Sequence, residues 1–555
     1  MAGSIQPLTP AVPQSRFQIS VRCVPRILRL SLLDCLYCSL LVWLFVAGSH
    51  GWSGLLSDGD TGWHIRTGEQ ILDTGRVPYT DPYSFTRPDA EWFAWEWLAD
   101  CIFAVSFRAA GLKGVTLVAG LVIPLAFVVM FRHMMWRGAQ PLAALPLILL
   151  ATGASAIHFL ARPHIFTLLL LAVFLYVLDR DRRRHTRAVW ALVPLVALWT
   201  NLHGGFLAAI ASTCVVAIGY VLLKQWADAR RYGLLALLSA LASLLNPYGY
   251  RLHVHVAGYL RSDWIRSVVD EFQSPSFRSE SMLHFEILLV AGIATAALLA
   301  ARRRWIEALL ILLWAHAALG AVRHVPVYAI VALPWIGEEL TSWWSRLAGG
   351  SAATSLRGIL DRLSQDLTPG FARASLWLAL PAIVLAALDA PLKWPRDFPR
   401  EKFPVAIVER HAELLRARRV LAPDQWGDYL IYRFYPAQKV FVDGRSDFYG
   451  KQIGDQYLAL IQARHDWAAL LAQHRFDAAL VPPSWPLASL LKTDRNWRLV
   501  ADDGAALLFV NAARDGAAAR LTETNDLRQG IVEKFGPNLM KTTHAVEELA
   551  GDRRG

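Results

Sequence analysis

Directly after the first long apolar run the chain reads Ser57-Asp58-Gly59-Asp60-Thr61-Gly62-Trp63-His64, which sets two carboxylates just outside a hydrophobic segment. Such a group could accept a proton, hold an ion, or cap the helix that begins near Trp63. An ionisable pair is costly to keep at a membrane edge unless it serves a ligand, an ion or a proton, so a site is the default reading. Residues of the same kind recur at the ends of later apolar runs: Arg162-Pro163-His164, Asn201-Leu202-His203-Gly204-Gly205, Asp270-Glu271 and Arg323-His324. Each has a plainer alternative. Asp60 could be only an N-cap, Arg162 and His164 interfacial anchors, and His203 part of a small-residue turn. Asp270-Glu271 could be a solvated loop, Arg323-His324 a pair of caps, and Trp63, Trp92, Trp95 and Trp97 an aromatic belt.

The elements that must position these residues follow from composition. With 55% hydrophobic and 18% charged residues, the 555-residue chain is a polytopic membrane protein rather than a soluble domain. Its net charge of +11 comes from short Arg clusters between apolar runs, where they act as topology signals, and nucleic-acid binding is excluded on that ground. Eleven spans are expected, at 30–48, 114–131, 141–157, 164–178, 187–200, 206–224, 232–246, 285–301, 305–322, 325–340 and 374–392. The stretch 93–110 is ambiguous, because Glu96, Asp100 and Arg108 interrupt it. If it crossed, Arg180 to Arg184, Arg132 with Arg137, and Arg302 to Arg304 would all face outward, against the positive-inside bias. It is therefore read as an amphipathic surface helix, which puts residues 1–29 in the cytoplasm and every unusual polar motif outside. The five cysteines, Cys23, Cys35, Cys38, Cys101 and Cys214, indicate neither a disulfide framework nor a zinc site, and Cys35 and Cys38 read as small apolar side chains of a span.

The long first outer loop, 47–113, reads as two short amphipathic helices, about 63–73 and 91–108, joined by Val77-Pro78-Tyr79-Thr80-Asp81-Pro82. Asp58-Gly59-Asp60 after the first span, this loop, and the apolar body resemble the GT-C class of integral membrane glycosyltransferases, which includes protein mannosyltransferases and lipid A aminoarabinose transferases. The stretch from Asp60 to Glu69, Trp95-Glu96-Trp97 and Asn201 to Gly205 are also similar to uncharacterised bacterial membrane proteins related to that class. The resemblance covers about 30–340. It implies a carboxylate of the first outer loop at the catalytic centre and a sugar donor linked to a polyprenyl phosphate. On that reading Asp60 is the base, with Asp58 beside it, and Arg66, Arg162, His164, His203, Arg323 and His324 are available to hold the donor phosphate. A divalent metal, Mg or Mn, on Asp58, Asp60, Asp270 or Glu271 is left open, since only some members of the class use one.

After residue 392 the composition becomes that of a small α/β domain, 393–512, which eleven crossings place outside. Val420-Leu421-Ala422, 439–443, 478–481 and 506–510 read as strands, and helical patterns fill 405–417, 427–434, 452–462 and 466–474. Asp443, Arg445 and Asp447 stand where a ligand loop could sit, or where an Asp–Arg pair merely fixes a turn. Residues 513–555 read as a loose tail. The expectation is thus a mainly α, GT-C-like protein of a bacterial inner membrane, with a periplasmic α/β domain, that passes a sugar from a polyprenyl-phosphate donor to a glycan, lipid or protein acceptor. A transporter or flippase of a lipid-linked glycan, and a noncatalytic scaffold, are the alternatives.

Overall fold

The structure is a computed structural model that describes residues 31–47, 51–352, 354–372, 379–387, 394–416 and 418–514. The expected cytoplasmic segment 1–29, with Cys23, and nearly all of the expected tail lie outside the described residues.

Helix α1 (Leu32–Val42) starts at a capping box in which Ser31 Oγ accepts the Asp34 amide and the Asp34 carboxylate accepts the Ser31 amide. A single turn, α2 (Gly51–Gly54), precedes α3 (Asp60–Thr74), the first helix of the long loop. Helix α4 (Trp97–Arg137) carries the second. It breaks at Ala110 and Gly111, where Gly111 takes φ 61°, a conformation that an L side chain resists. The break separates Trp97–Ala109, packed along α3, from an apolar rod over 112–137. The expected second loop helix therefore begins at Trp97 rather than Glu91, because Glu91 bridges to Thr80 in extended backbone.

The remaining helices of the body are α5 (Pro141–Ser155), α6 (His164–Arg183), α7 (Leu192–Thr200), α8 (Phe206–Leu222), α9 (Trp226–Ala242), α10 (Tyr250–Arg261), α11 (Asp263–Val268), α12 (Glu280–Ala301), α13 (Trp305–Gly320), α14 (Val325–Ala348), α15 (Leu356–Phe371) and α16 (Ala379–Ala387). Only the last of these covers any of the expected span 374–392, whose other residues lie outside the described ones. Among the described residues three helices, Trp97–Arg137, Pro141–His158 and Met282–Ala301, are long and apolar enough to cross a membrane, and four more apolar helices are shorter. Helices α6 and α14 miss that standard because charged residues interrupt them, Asp179 to Arg183 in the last turn of α6 and Glu338 with Glu339 past the middle of α14.

Those charged turns meet. Arg137 binds Asp179 at 2.5 Å and also Glu338, Arg182 reaches Glu307 at 3.1 Å, and Arg302 reaches Glu339 at 2.7 Å. His164 stands at the other end of α6, about 30 Å away at 1.5 Å per residue. The helical body thus has an arginine end and a carboxylate end.

The C-terminal domain holds α17 (Val405–Arg410), α18 (Ala412–Arg416), α19 (Asp424–Phe434), α20 (Ser446–Ile461), α21 (Trp467–Gln473) and α22 (Pro486–Thr493) around a four-stranded sheet. Strands β1 (Val420–Leu421), β2 (Ala478–Val481), β3 (Trp497–Asp502) and β4 (Leu507–Asn511) lie in the order β1-β2-β4-β3, with β1 and β2 parallel and the other pairs antiparallel. The apolar segment 439–443, expected as a strand of this sheet, is not in it. Its hydrogen bonds go to the first long loop instead: the Val440 amide donates to Tyr83 O and the Val440 carbonyl accepts from the Phe85 amide. The edge strand β3 escaped the sequence reading because its burial alternates poorly and half its residues face solvent.

Helix α19 packs against α3 over glycines. A Cβ at Gly62 would stand 2.8 Å from both the Asp428 carbonyl oxygen and the Tyr432 Cβ, so only glycine permits this approach. The result is a mainly α membrane body whose first long loop is clamped by a small α/β domain.

Candidate functional site

A cavity of about 310 Å³ opens at the carboxylate end. Asp60 and Trp63 of α3, Trp95 and Glu96 before α4, Arg162, His164, His203, Glu271, Arg323 and His324 line its polar part, and Gly444, Arg445 and Asp447 of the C-terminal domain cover it. Deeper, the walls turn apolar: Leu168 of α6, Leu207, Ala208 and Ala211 of α8, Trp314 of α13 and Val327 of α14. Motifs scattered over the sequence from Asp60 to His324 therefore converge on one space, as expected if they share one side of the membrane.

Arg162 is its electrostatic centre. Its Nη1 lies 2.9 Å from Asp58 and 2.9 Å from Glu271, and its Nη2 lies 2.7 Å from Asp60. A planar guanidinium suits several carboxylates at once, since each of its N–H groups is aimed. The three acids respond differently. Facing Arg162, Glu271 is held below the usual carboxylate range. Asp60 is driven the other way, up to about 7, because its burial outweighs the attraction of Arg162 and because Asp58 and Glu271 add like charge. Asp58 also accepts the Asp60 amide at 2.9 Å, satisfying one of the amides at the start of α3. The side chain of Asp60 instead binds Arg162 and lines the cavity.

Asp60 Oδ1 has no hydrogen-bond partner, and neither has Asp428 Oδ2 of α19. Both face Gly444: a Cβ there would overlap Asp60 Oδ1 and lie 3.1 Å from Asp428 Oδ2. Asp428 is fully buried and its Oδ1 accepts the Gly444 amide at 3.0 Å. Burial and the nearby Asp60 push its carboxyl up.

A second group of acids and imidazoles lies beside the first. His64 Nδ1 is 2.6 Å from Asp100 Oδ1, both buried, and His64 Nε2 is 3.8 Å from Glu96 Oε2. His203 Nε2 lies 3.5 Å from Glu96 Oε1. The Gly205 amide donates to His203 Nδ1 at 3.0 Å, which makes that nitrogen an acceptor and assigns the proton of the neutral ring to Nε2. Burial and the neighbouring cations Arg323 and Arg162 hold His203 well below its ordinary value.

Several residues singled out from sequence lie elsewhere. Arg66 points away from the cavity, donating to the Tyr432 carbonyl at 2.8 Å through Nε and pairing with Glu69 at 2.6 Å. At about 100° per residue it projects some 240° round α3 from Asp60, whereas His64 returns to the Asp60 face. Asp270 is exposed and outside the lining. Asp443 is buried under Arg445, which it binds at 2.8 and 2.6 Å, and Arg445 also reaches Asp81 at 2.8 Å. Asp447 lines the cavity and lies 2.9 Å from His255 Nε2.

The proposed metal set does not fit. Among the described residues no three His, Cys, Asp or Glu side chains converge so as to hold an ion, and the charge of Asp58, Asp60 and Glu271 is already answered by Arg162. No step below is routed through a metal.

Glu96, Asp100, His64 and Asp428 were not among the sequence candidates. Glu96 and Asp100 sit in a Trp-rich amphipathic stretch where charges are unremarkable, and Asp428 reaches the site only through the docking of a second domain.

No family model matches the chain, and no curated protein matches it. Solved structures do. An Archaeoglobus fulgidus oligosaccharyltransferase in the apo form is matched at TM-score 0.48 and 13% identity, over 81% of this chain and 69% of that one. ArnT from Cupriavidus metallidurans bound to undecaprenyl phosphate is matched at TM-score 0.46 and 14% identity, over 86% of this chain and 97% of that one.

Proposed function

We propose that the chain is a GT-C-type membrane glycosyltransferase that passes a sugar from a polyprenyl-phosphate donor to an acceptor on the extracytoplasmic face of a bacterial inner membrane. The observation that carries this is the composition of one cavity: a base, anion donors and an apolar slot share it. In this reading the slot between α6, α8, α13 and α14 takes the start of the lipid chain. Arg323, with His164, His203 and His324 around it, takes the phosphate, and Arg162 adds positive charge. Asp60 takes the proton of the acceptor nucleophile. A buried carboxyl raised toward neutrality is suited to that work, and general-base catalysis contributes about 10²–10⁴-fold. The N-terminus is cytoplasmic and the α/β domain extracytoplasmic, completing the site from outside. The acceptor is an extracytoplasmic glycan, lipid or protein.

The test is turnover by the purified chain, in detergent or nanodiscs, with a panel of polyprenyl-phosphate sugars, followed as release of polyprenyl phosphate. Donor-dependent release that fails in Asp60→Asn supports the reading. No turnover with any donor overturns it and leaves the transporter and scaffold alternatives, the second of which predicts that Asp60 is replaceable.

A further inference from the structure

Glu96 has no part in the roles above, yet it lines the cavity with Asp60, Glu271 and Asp447. Its side chain is 13% exposed, toward the same space that Asp60 enters. The Nε2–H of His203 faces one of its oxygens and the His64–Asp100 pair backs the other, at the distances given above. Both imidazoles lie within one water of Glu96, so a proton passes between them and Glu96 through a bridging water.

A proton at this position can assist the donor's leaving group, which also departs as a stabilised anion. When the bond from the sugar's anomeric carbon to the phosphate oxygen breaks, the electron pair stays on that oxygen, and protonating it lowers the barrier. We propose that Glu96 is the general acid of the transfer, giving its proton to the departing phosphate oxygen. This rests on the glycosyl-transfer reading and deepens it. The atoms balance: the anomeric carbon–phosphate oxygen bond breaks and the anomeric carbon–acceptor oxygen bond forms. The acceptor's proton moves to Asp60 and the proton of Glu96 moves to the phosphate. The site resets when Asp60 loses its proton to water and Glu96 regains one from water entering the cavity.

For this role Glu96 must be protonated at neutral pH. Burial, with Asp60 and Asp447 adding like charge against Arg162 and Arg323, pushes its carboxyl up to about 8. Two carboxyls facing one cavity, both raised and each with its own partners, is the pattern by which one site runs acid and base chemistry together. A purely structural Glu96, a hub between two histidines, would give a Glu96→Gln protein with altered stability but an unchanged pH profile.

The experiment compares wild type and Glu96→Gln with a polyprenyl-phosphate sugar donor across pH. Expected are a wild-type rate that falls as pH rises through about 8, and a variant whose kcat drops by about 10²–10⁴-fold at similar KM with that falling limb gone. Glu96→Asp should recover part of the loss. A Glu96→Gln rate within a few-fold of wild type, with the limb intact, overturns the assignment while the glycosyltransferase reading stands. Wild type inactive on every donor takes both down. Should Glu96→Gln be recovered unfolded, the wild-type profile decides: a rate that keeps rising well above that pH is incompatible with an acid at Glu96.

Discussion

Arg162 Nη2 lies 2.7 Å from Asp60 Oδ2, while Asp60 Oδ1 has no hydrogen-bond partner. One oxygen is tethered to the guanidinium and the other lies against Gly444 on the side of Asp428 Oδ2, so the carboxyl is fixed while one oxygen can still take a proton. Asp60→Asn keeps the shape and the tether's acceptor but removes the base. Its kcat/KM is expected to fall by about 10²–10⁴-fold. In the wild type the rate should rise with pH through about 7, where Asp60 ionises, and that rising limb should be absent from the variant. Asp58→Asn, which changes a residue outside the cavity lining, should cost far less. Steady-state rates over pH for the three proteins check both statements.

Asp60 and Glu271 share Arg162 yet should move stability in opposite senses. The carboxyl of Asp60 is raised from 3.8 to about 7, so between those values the folded chain binds more protons than the unfolded one, and stability falls as pH rises. Glu271 is lowered from 4.5, so its contribution is complete above that value and is lost as pH falls through the folded one. Asp60→Asn should therefore gain stability relative to wild type as pH rises toward neutrality. Glu271→Gln should be the less stable protein at neutral pH, with the gap closing in acid. Melting temperatures of the three proteins from tryptophan fluorescence, taken across pH, separate the two signs.

Arg445 joins two parts of the chain. It is 4% exposed, forms two bonds to Asp443, one to Asp81, and stacks 4.6 Å from the Trp92 ring. The Asp–Arg pair is thus more than a turn support, because Asp81 belongs to the first long loop. Removing the cation strands two buried carboxylates, at a cost of about 3–5 kcal/mol. Arg445→Ala should loosen the C-terminal domain and speed protease cleavage near Trp394 to Pro404, and activity should be lost with the lid over Asp60. Arg445→Lys should rescue only partly, since a single ammonium cannot reproduce the fork. Limited proteolysis followed over time, with and without donor, gives the measurement.

What was legible in the sequence is the set of residues whose side depends on span count alone. Positive charge at one end of each short connection implied that Asp60, Arg162, His164, His203, Glu271, Arg323 and His324 share the other end, and they line one cavity. Residues whose placement depends on rotation were not legible. Arg66 is close to Asp60 in sequence but on another face of α3, and nothing in a single sequence says which face meets the second domain. Asp428 depends on docking at Gly59 and Gly62, glycines that read as a simple turn until α19 is seen against them. Glu96 was visible as Trp95-Glu96-Trp97, but a charge between tryptophans at an interface is commonplace. Only its position between His64 and His203 sets it apart.

Arg323 gives the sharpest test of where the donor phosphate binds. Its guanidinium lies 4.6 Å from the Phe272 ring, its Nη1 is buried with no hydrogen-bond partner, and no ion pair to a carboxylate engages it among the described residues. Arg162, in contrast, is satisfied by three acids. An arginine that lines the cavity against an aromatic face and keeps one N–H unpartnered is ready for an anion, and a charge-assisted bond contributes about 1.5–3 kcal/mol. Arg323→Ala should therefore raise KM for a polyprenyl-phosphate donor by about 10–100-fold, with kcat reduced less. Inorganic phosphate should inhibit wild type in competition with the donor and lose most of that effect in the variant. Arg323→Lys should fall between them, because it keeps the charge and loses the fork. An unchanged KM in Arg323→Ala would move the phosphate to the His164 and His203 side of the cavity, where the neutral Nε2–H of His203 is the next available donor.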